Sequence, residues 1–170
     1  MIGDRIRVRL GDERGFTLVE ILVVIILVGI LAAIALAVFL RQQDKGRDSS
    51  AKSDVTNLAH QVQACNAGRP DGDDFRDCDT VADLGQTGIA VSNDAPNEIA
   101  SGDCADAAPA DTVTGGAVRV LQAGADCFVV LGVSKSGNRF WYVKRNGGGF
   151  SRDCTTHGVN GCPTDGQWAG

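Results

Sequence analysis

Aromatic residues are scarce: the 170 residues include six Phe, two Trp and one Tyr. A domain with so few large rings has little apolar area to bury and leans on cross-links for stability. Cysteine is missing from the first 64 residues, and all six copies, Cys65, Cys78, Cys104, Cys127, Cys154 and Cys162, come later. No two are closer than eight positions, which argues against zinc, whose sites favour tight pairs such as Cys-x-x-Cys. An even number of cysteines in a small Gly-rich domain reads instead as a disulfide framework made in an oxidising compartment. No Lys/Arg cluster occurs beyond residue 50 and the net charge is −5, so no nucleic-acid-binding face is expected. Charge is absent altogether from Ile21 to Leu40. These 20 residues, at about 1.5 Å each, span the roughly 30 Å of hydrocarbon in a bilayer, which excludes a single soluble globular domain. Beyond them remain about 130 residues, enough for one core and not for two.

What is present is unevenly spread. Phe16 to Leu40 holds 22 apolar residues among 25. Arg5, Arg7, Arg9 and Arg14 precede this run, while Arg41, Lys45, Arg47 and Lys52 follow it, so the positive-inside rule is nearly balanced. Cysteine placement breaks the tie: the part after residue 40 is expected outside the cytoplasm and the short N-terminus inside. An ordinary secretory signal has a shorter apolar core followed by a small-residue cut site, whereas here the polar leader ends abruptly in Arg14-Gly15 and the apolar run is longer.

Arg14-Gly15-Phe16-Thr17-Leu18-Val19-Glu20, continuing as ILVVIILVGILAAIALAVF, resembles the class III signal of type IV pilins and of the pseudopilins of type II secretion. The resemblance covers about 25 residues and implies cleavage after Gly15 by a membrane aspartic prepilin peptidase and N-methylation of Phe16, leaving Glu20 fifth in the mature chain. The chemistry of these positions is intelligible in its own right. Glycine lets a peptidase approach the scissile backbone without side-chain obstruction. Glu20, four residues beyond Phe16, shares its helical face and lies near a helix N-terminus, where a carboxylate is favoured. An acid inside a membrane normally has a partner, and among parallel helices the Phe16 amine of a neighbouring copy would serve. Gly29, Ala32, Ala33, Ala35 and Ala37 let neighbouring backbones approach closely. Ala37 stands where most type IV pilins have proline, which makes Gly46 the substitute weak point of the helix.

The helix is expected to continue past Leu40. Val55, Leu58, Ala59, Val62 and Cys65 form one apolar stripe, and Asn66-Ala67-Gly68 before Pro70 supplies a stop. A helix from about Phe16 to Ala67 would be close to 80 Å long, apolar all round in its first half and amphipathic in its second, the pilin lollipop. Residues 69–116 are rich in turn formers, with a short helix at Val81 to Leu84. Asp71, Asp73, Asp74, Asp77 and Asp79 read as a solvated acidic loop, with calcium the alternative, although no Glu closes an EF-hand spacing. Three strand signals follow: Ala117–Leu121, Cys127–Val133 and Arg139–Lys144, with Ser136-Gly137-Asn138 as the turn between the last two. A segment from Phe150 adds a short fourth strand. One sheet face should cover the helical stripe.

Six cysteines allow 15 pairings. Sequential pairing, Cys65 with Cys78, Cys104 with Cys127 and Cys154 with Cys162, joins elements already adjacent in this topology. His60 and His157 read as structural, and Lys135, Lys144, Arg145 and Arg152 as a solvated face. No catalytic residue, metal or cofactor is expected, and the chain does not read as an enzyme.

The expected fold is α+β and pilin-like: a long N-terminal helix, half transmembrane and half amphipathic, packed on a small antiparallel sheet. Residues 1–15 are a cleaved leader, 16–40 the transmembrane and assembly half of the helix, 41–68 its amphipathic half, and 69–170 a disulfide-stapled head. The head divides into an αβ-loop (69–116), a β-meander (117–146) and a C-terminal loop (147–170). The resemblance implies a structural subunit of an extracellular pilus-like filament. Its partners would be the prepilin peptidase, other copies of itself, an inner-membrane assembly platform and, before assembly, the membrane. The alternatives are a type II secretion pseudopilin, or a membrane-tethered binding or enzymatic domain.

Overall fold

The computed structural model describes residues 15–70, 74–94, 97–98, 104 and 113–169. The leader up to Arg14, together with Asp71 and Asp73 of the acidic loop, lies outside the described residues. Helix α1 runs from Leu18 to Ala67, and the chain divides into two compact units, the first ending at Phe39 and the second beginning at Leu40.

In the first unit the helix starts at Thr17, whose Oγ1 accepts the Glu20 backbone N–H at 3.2 Å while its carbonyl accepts that of Ile21. Thr and Glu three apart are a capping pair at the head of an apolar run. The run is rich in Val and Ile, which lower helix propensity in water. A segment this long and uncharged must satisfy its backbone internally once water is excluded, and the helix does so. Every residue from Phe16 to Leu40 is exposed.

In the second unit α1 becomes one-sided. Its buried residues are Asp48, Ala51, Val55, Leu58, Ala59, Val62 and Asn66, a single face at helical spacing. That face packs on a sheet formed by β1 (Asn97–Glu98), β2 (Val118–Ala123), β3 (Phe128–Val133), β4 (Arg139–Lys144) and β5 (Phe150–Cys154), in that spatial order. Strands β2 to β5 form the expected antiparallel meander, fourth strand included. The first strand runs two residues later than its apolar signal, to Ala123, and its ladder shifts register between Val120 and Gln122.

Two features go beyond the sequence reading. First, β1 pairs parallel to β2, and upstream of it Val91 bridges Val118 in the same sense. The connecting segment thus covers the open edge of β2, an edge that would otherwise template pairing with another chain. Second, both faces of the sheet are covered. Val118, Val120, Phe128, Val130, Phe140 and Tyr142 face α1. On the reverse face Val129, Leu131, Val133, Trp141 and Val143 pack with Cys104 and Val113 of the connecting segment. Strand β3 is buried at all six positions, which accounts for its unbroken apolar sequence. Gly132 is the exception in size: a Cβ there would lie 2.4 Å from Val55 Cγ2 on α1 and 3.1 Å from Val118 Cγ1.

Within the connecting segment, Phe75–Cys78 forms a 3₁₀ turn capped by Asp74, and α2 (Val81–Leu84) is capped by Thr80. Disulfides join Cys65 to Cys78, Cys104 to Cys127 and Cys154 to Cys162. The first ties the end of α1 to the 3₁₀ turn, the second holds the connecting segment on the reverse face of the sheet, and the third closes the C-terminal loop. Beyond that loop, Trp168 returns to the core, donating from Nε1 to the Asp153 carbonyl at 2.8 Å and meeting Phe140 edge-on.

Candidate processing and assembly segment

Gly15 lies two residues before the helix cap, Thr17. It is exposed, and a Cβ on it would meet nothing within 4 Å. Phe16 is 78% exposed. Thr17 caps the helix and sets Glu20 in its first turn, where the unpaired N–H groups and the helix dipole favour a carboxylate. Among the described residues no cation pairs with Glu20. The chemical content of this segment is therefore an accessible Gly-Phe bond, followed by one acid at the head of an apolar helix.

The other residues singled out from sequence do not converge. His60 is exposed on α1, and His157 Nε2 lies 2.9 Å from Asp153 Oδ1 in the C-terminal loop. Lys135 is in the turn before β4, whereas Lys144 and Arg145 lie at its other end. Lys144 sits over the Phe75 ring, and the Arg152 guanidinium over the rings of Tyr142, Phe150 and Trp168 at 5.2 to 5.6 Å. These cations are engaged with the head's own aromatics. Of the acidic loop, Asp74 is held by Arg76, whose side-chain hydrogen bonds keep the carboxyl below its usual range. Asp77 pairs with Arg69, and Asp79 is buried. Among the described residues, no three His, Cys, Asp or Glu side chains converge as a metal site would need.

Asp48 is the polar residue that sequence reasoning missed. It is fully buried, and its carboxylate accepts from Ser136 Oγ, from Asn138 Nδ2 at 2.8 Å and from the Gly161 backbone N–H at 2.9 Å. One side chain of α1 thereby ties down the β3–β4 turn and the Cys154–Cys162 loop together. Burial alone would raise its carboxyl, but hydrogen bonds from Ser136, Ser134, Asn138 and Gly161 outweigh burial and hold it below the ordinary range. The available signal was phase: Asp48 lies three residues before Ala51 and seven before Val55, in line with the apolar stripe.

Residues 11–36 match a family model described as the prokaryotic N-terminal methylation motif. Over 46 residues the chain is 44% identical to the type IV major pilin protein PilA of Myxococcus xanthus (strain DK1622). That stretch is 27% of this chain and 21% of the Myxococcus protein, so the chain matches about a fifth of that relative's length. No solved structure matches the chain. Over that motif and that stretch the chain is similar to type IV pilins, and the motif stands ahead of a long apolar helix and a disulfide-bonded α+β head.

Proposed function

We propose that this chain is a precursor of the structural subunit of an extracellular type IV pilus-like filament. Prepilin peptidase cuts between Gly15 and Phe16, Phe16 is N-methylated, and the subunit waits in the membrane with its N-terminus cytoplasmic and its head outside. An inner-membrane platform then adds it to a helical filament of further copies. The observation that carries this reading is the accessible Gly15-Phe16 bond directly before a capped helix whose apolar residues up to Leu40 are all exposed while Glu20 stands in its first turn. Exposed apolar surface on this scale demands either lipid or other copies of the same helix. In the filament, Glu20 neutralises the Phe16 amine of a neighbouring subunit and so sets axial register.

The test is Glu20→Ala. Membrane insertion and head folding depend on other residues and should persist. Loss of the acid leaves a cation unpaired among the helices, at a cost of roughly 3 to 5 kcal/mol for breaking a buried pair, repeated at each subunit. Surface filaments counted by electron microscopy should be abolished or strongly reduced, with immunoblots showing cleaved protein in the membrane. Normal filament numbers would remove the pairing mechanism. N-terminal mass spectrometry of filament material should find N-methyl Phe16, and an intact leader there would overturn the processing step.

A further inference from the structure

The head contains two Asn-Gly pairs, Asn146-Gly147 and Asn160-Gly161. In this dipeptide the backbone nitrogen after the asparagine reaches the side-chain carbonyl most readily, because glycine puts no Cβ in the way of ring closure. We propose that Asn146 is a site of spontaneous deamidation in the folded protein, and that the Asp48 network withholds Asn160 from the same reaction. The Gly147 nitrogen bonds to Asn146 Cγ and the Cγ–Nδ2 bond breaks. The side-chain nitrogen leaves as ammonia, carrying the former Gly147 amide proton. Water then opens the succinimide at either carbonyl, giving aspartate or its β-linked isomer. Nothing is oxidised or reduced.

Both pairs occupy the centre of a turn, closed by Gly148 N to Arg145 O at 3.3 Å in one case and by Cys162 N to Val159 O at 3.0 Å in the other. Their surroundings differ. Residues 146–149 are all exposed and three of them are glycine, two at positive φ, so although Arg145 N–H to Gly149 O at 2.7 Å closes the loop at its base, the rotation that closes the ring displaces no buried group. At the second pair the attacking nitrogen is itself held: Gly161 N–H donates to Asp48 Oδ2 at 2.9 Å. A carboxylate acceptor keeps the proton that must leave, and a hydrogen bond to a charged group is among the stronger ones. Asn138 Nδ2 grips the Val159 carbonyl, the Cys154–Cys162 disulfide closes the loop, and a Cβ on Gly161 would lie 2.6 Å from Asp48 Cβ. The turn at 160 therefore has neither a free nucleophile nor room to rotate. Conversion at 146 places a new carboxylate beside Lys144 and Arg145, four residues before the exposed Phe150, and changes the charge of this corner of the head.

The experiment incubates the full chain, in detergent micelles with disulfides intact, in mildly alkaline buffer. Peptide mapping by mass spectrometry then resolves the two asparagines, and a parallel sample is held in denaturant. In the folded protein Asn146 should convert at least about tenfold faster than Asn160, the factor expected from one hydrogen bond to a charged acceptor. In denaturant the two should convert at similar rates. Equal rates in the folded protein would overturn the proposal, as would an Asn146 that converts only in denaturant. In Asp48→Ala chains that circular dichroism shows to be folded, Asn160 should become reactive while Asn146 is unchanged. An inert Asn160 there would refute the protective role of Asp48, and if that variant does not fold the denaturant comparison decides.

Discussion

Replacing Asp48 by alanine removes the acceptor for Ser136 Oγ, Asn138 Nδ2 and Gly161 N–H at once. Hydrogen bonds to charged groups contribute roughly 1.5 to 3 kcal/mol each, but these three share one carboxylate and do not add. Asn138 keeps its bond to the Val159 carbonyl, and Ser136 is only half-buried and can turn to water. Gly161 N–H is the donor left with least recourse. A loss of about 3 to 4 kcal/mol follows, of the order of a buried network broken on one side. Had burial been the stronger influence, the carboxyl would titrate above its ordinary range and alanine would relieve the fold. Its depressed pKa states the opposite sign.

Urea unfolding of the disulfide-intact chain in micelles, followed by Trp141 and Trp168 fluorescence, measures this. With a slope of about 1 to 3 kcal/mol per molar urea, the midpoint should fall by roughly 1 to 4 M. The pH dependence follows from the same group. Because the folded pKa lies below the unfolded one, the Asp48 contribution is present in full above the unfolded value, about 3.9, and is lost as pH falls through the folded value. Wild type and variant should therefore converge only in strong acid and run parallel from pH 5 to 8. A stability change within about 0.5 kcal/mol of zero, the range of an ordinary surface change, would refute the reasoning. Full stability in Asp48→Asn would show that the charge is not needed.

Two further outcomes follow from packing and cross-linking. Gly132→Ala should cost roughly 1 to 3 kcal/mol of head stability through overpacking, since its Cβ would lie 2.4 Å from Val55 Cγ2. Adding Val55→Ala should recover part of that loss in thermal unfolding, and additive losses would show that the clash is not the cause. Replacing Cys154 and Cys162 together by alanine should cost about 2.5 kcal/mol by the chain-entropy relation for a loop of this length. An unchanged urea midpoint would mean that the Asp48 network alone orders the loop.

The helix and all four antiparallel strands were legible, the helix and the first three strands because their signals are periodic and local. The stripe through Val55, Leu58, Ala59 and Val62 repeats at helical spacing, the strands are runs of branched and aromatic residues, and Thr80 with Gly85 brackets the short helix. Strand β1 was not legible: two residues, Asn and Glu, have no strand preference, and their pairing is decided by the open edge of β2 beside them. Nor did any local pattern show that the reverse face of the sheet is covered, although the unbroken FVVLGV of β3 is what burial on two sides requires. The match of residues 11–36 to the methylation motif was legible for the opposite reason: the motif is contiguous in sequence and needs no tertiary contact to assemble it.

Asp48 shows why a polar residue on an apolar stripe carries information of its own. Upstream of it, the side chains of α1 from Leu18 to Gln43 are exposed on every face; from Asp48 onward one face is buried. Two residues before it stands Gly46, an interior glycine that weakens the helix by about 1 kcal/mol. The Gly46 carbonyl also accepts from Ser50 Oγ at 3.2 Å, a back-bond that competes with the helix's own ladder and favours bending. An interior glycine and a side-chain back-bond thus lie immediately before the buried carboxylate of Asp48. Unwinding that began at Gly46 would meet a buried carboxylate holding three donors from two other parts of the head, and to pass it would have to break them together. Helix upstream of Asp48 can therefore loosen without loosening the head, and it is the position of this one charged residue, not helix propensity, that sets the boundary.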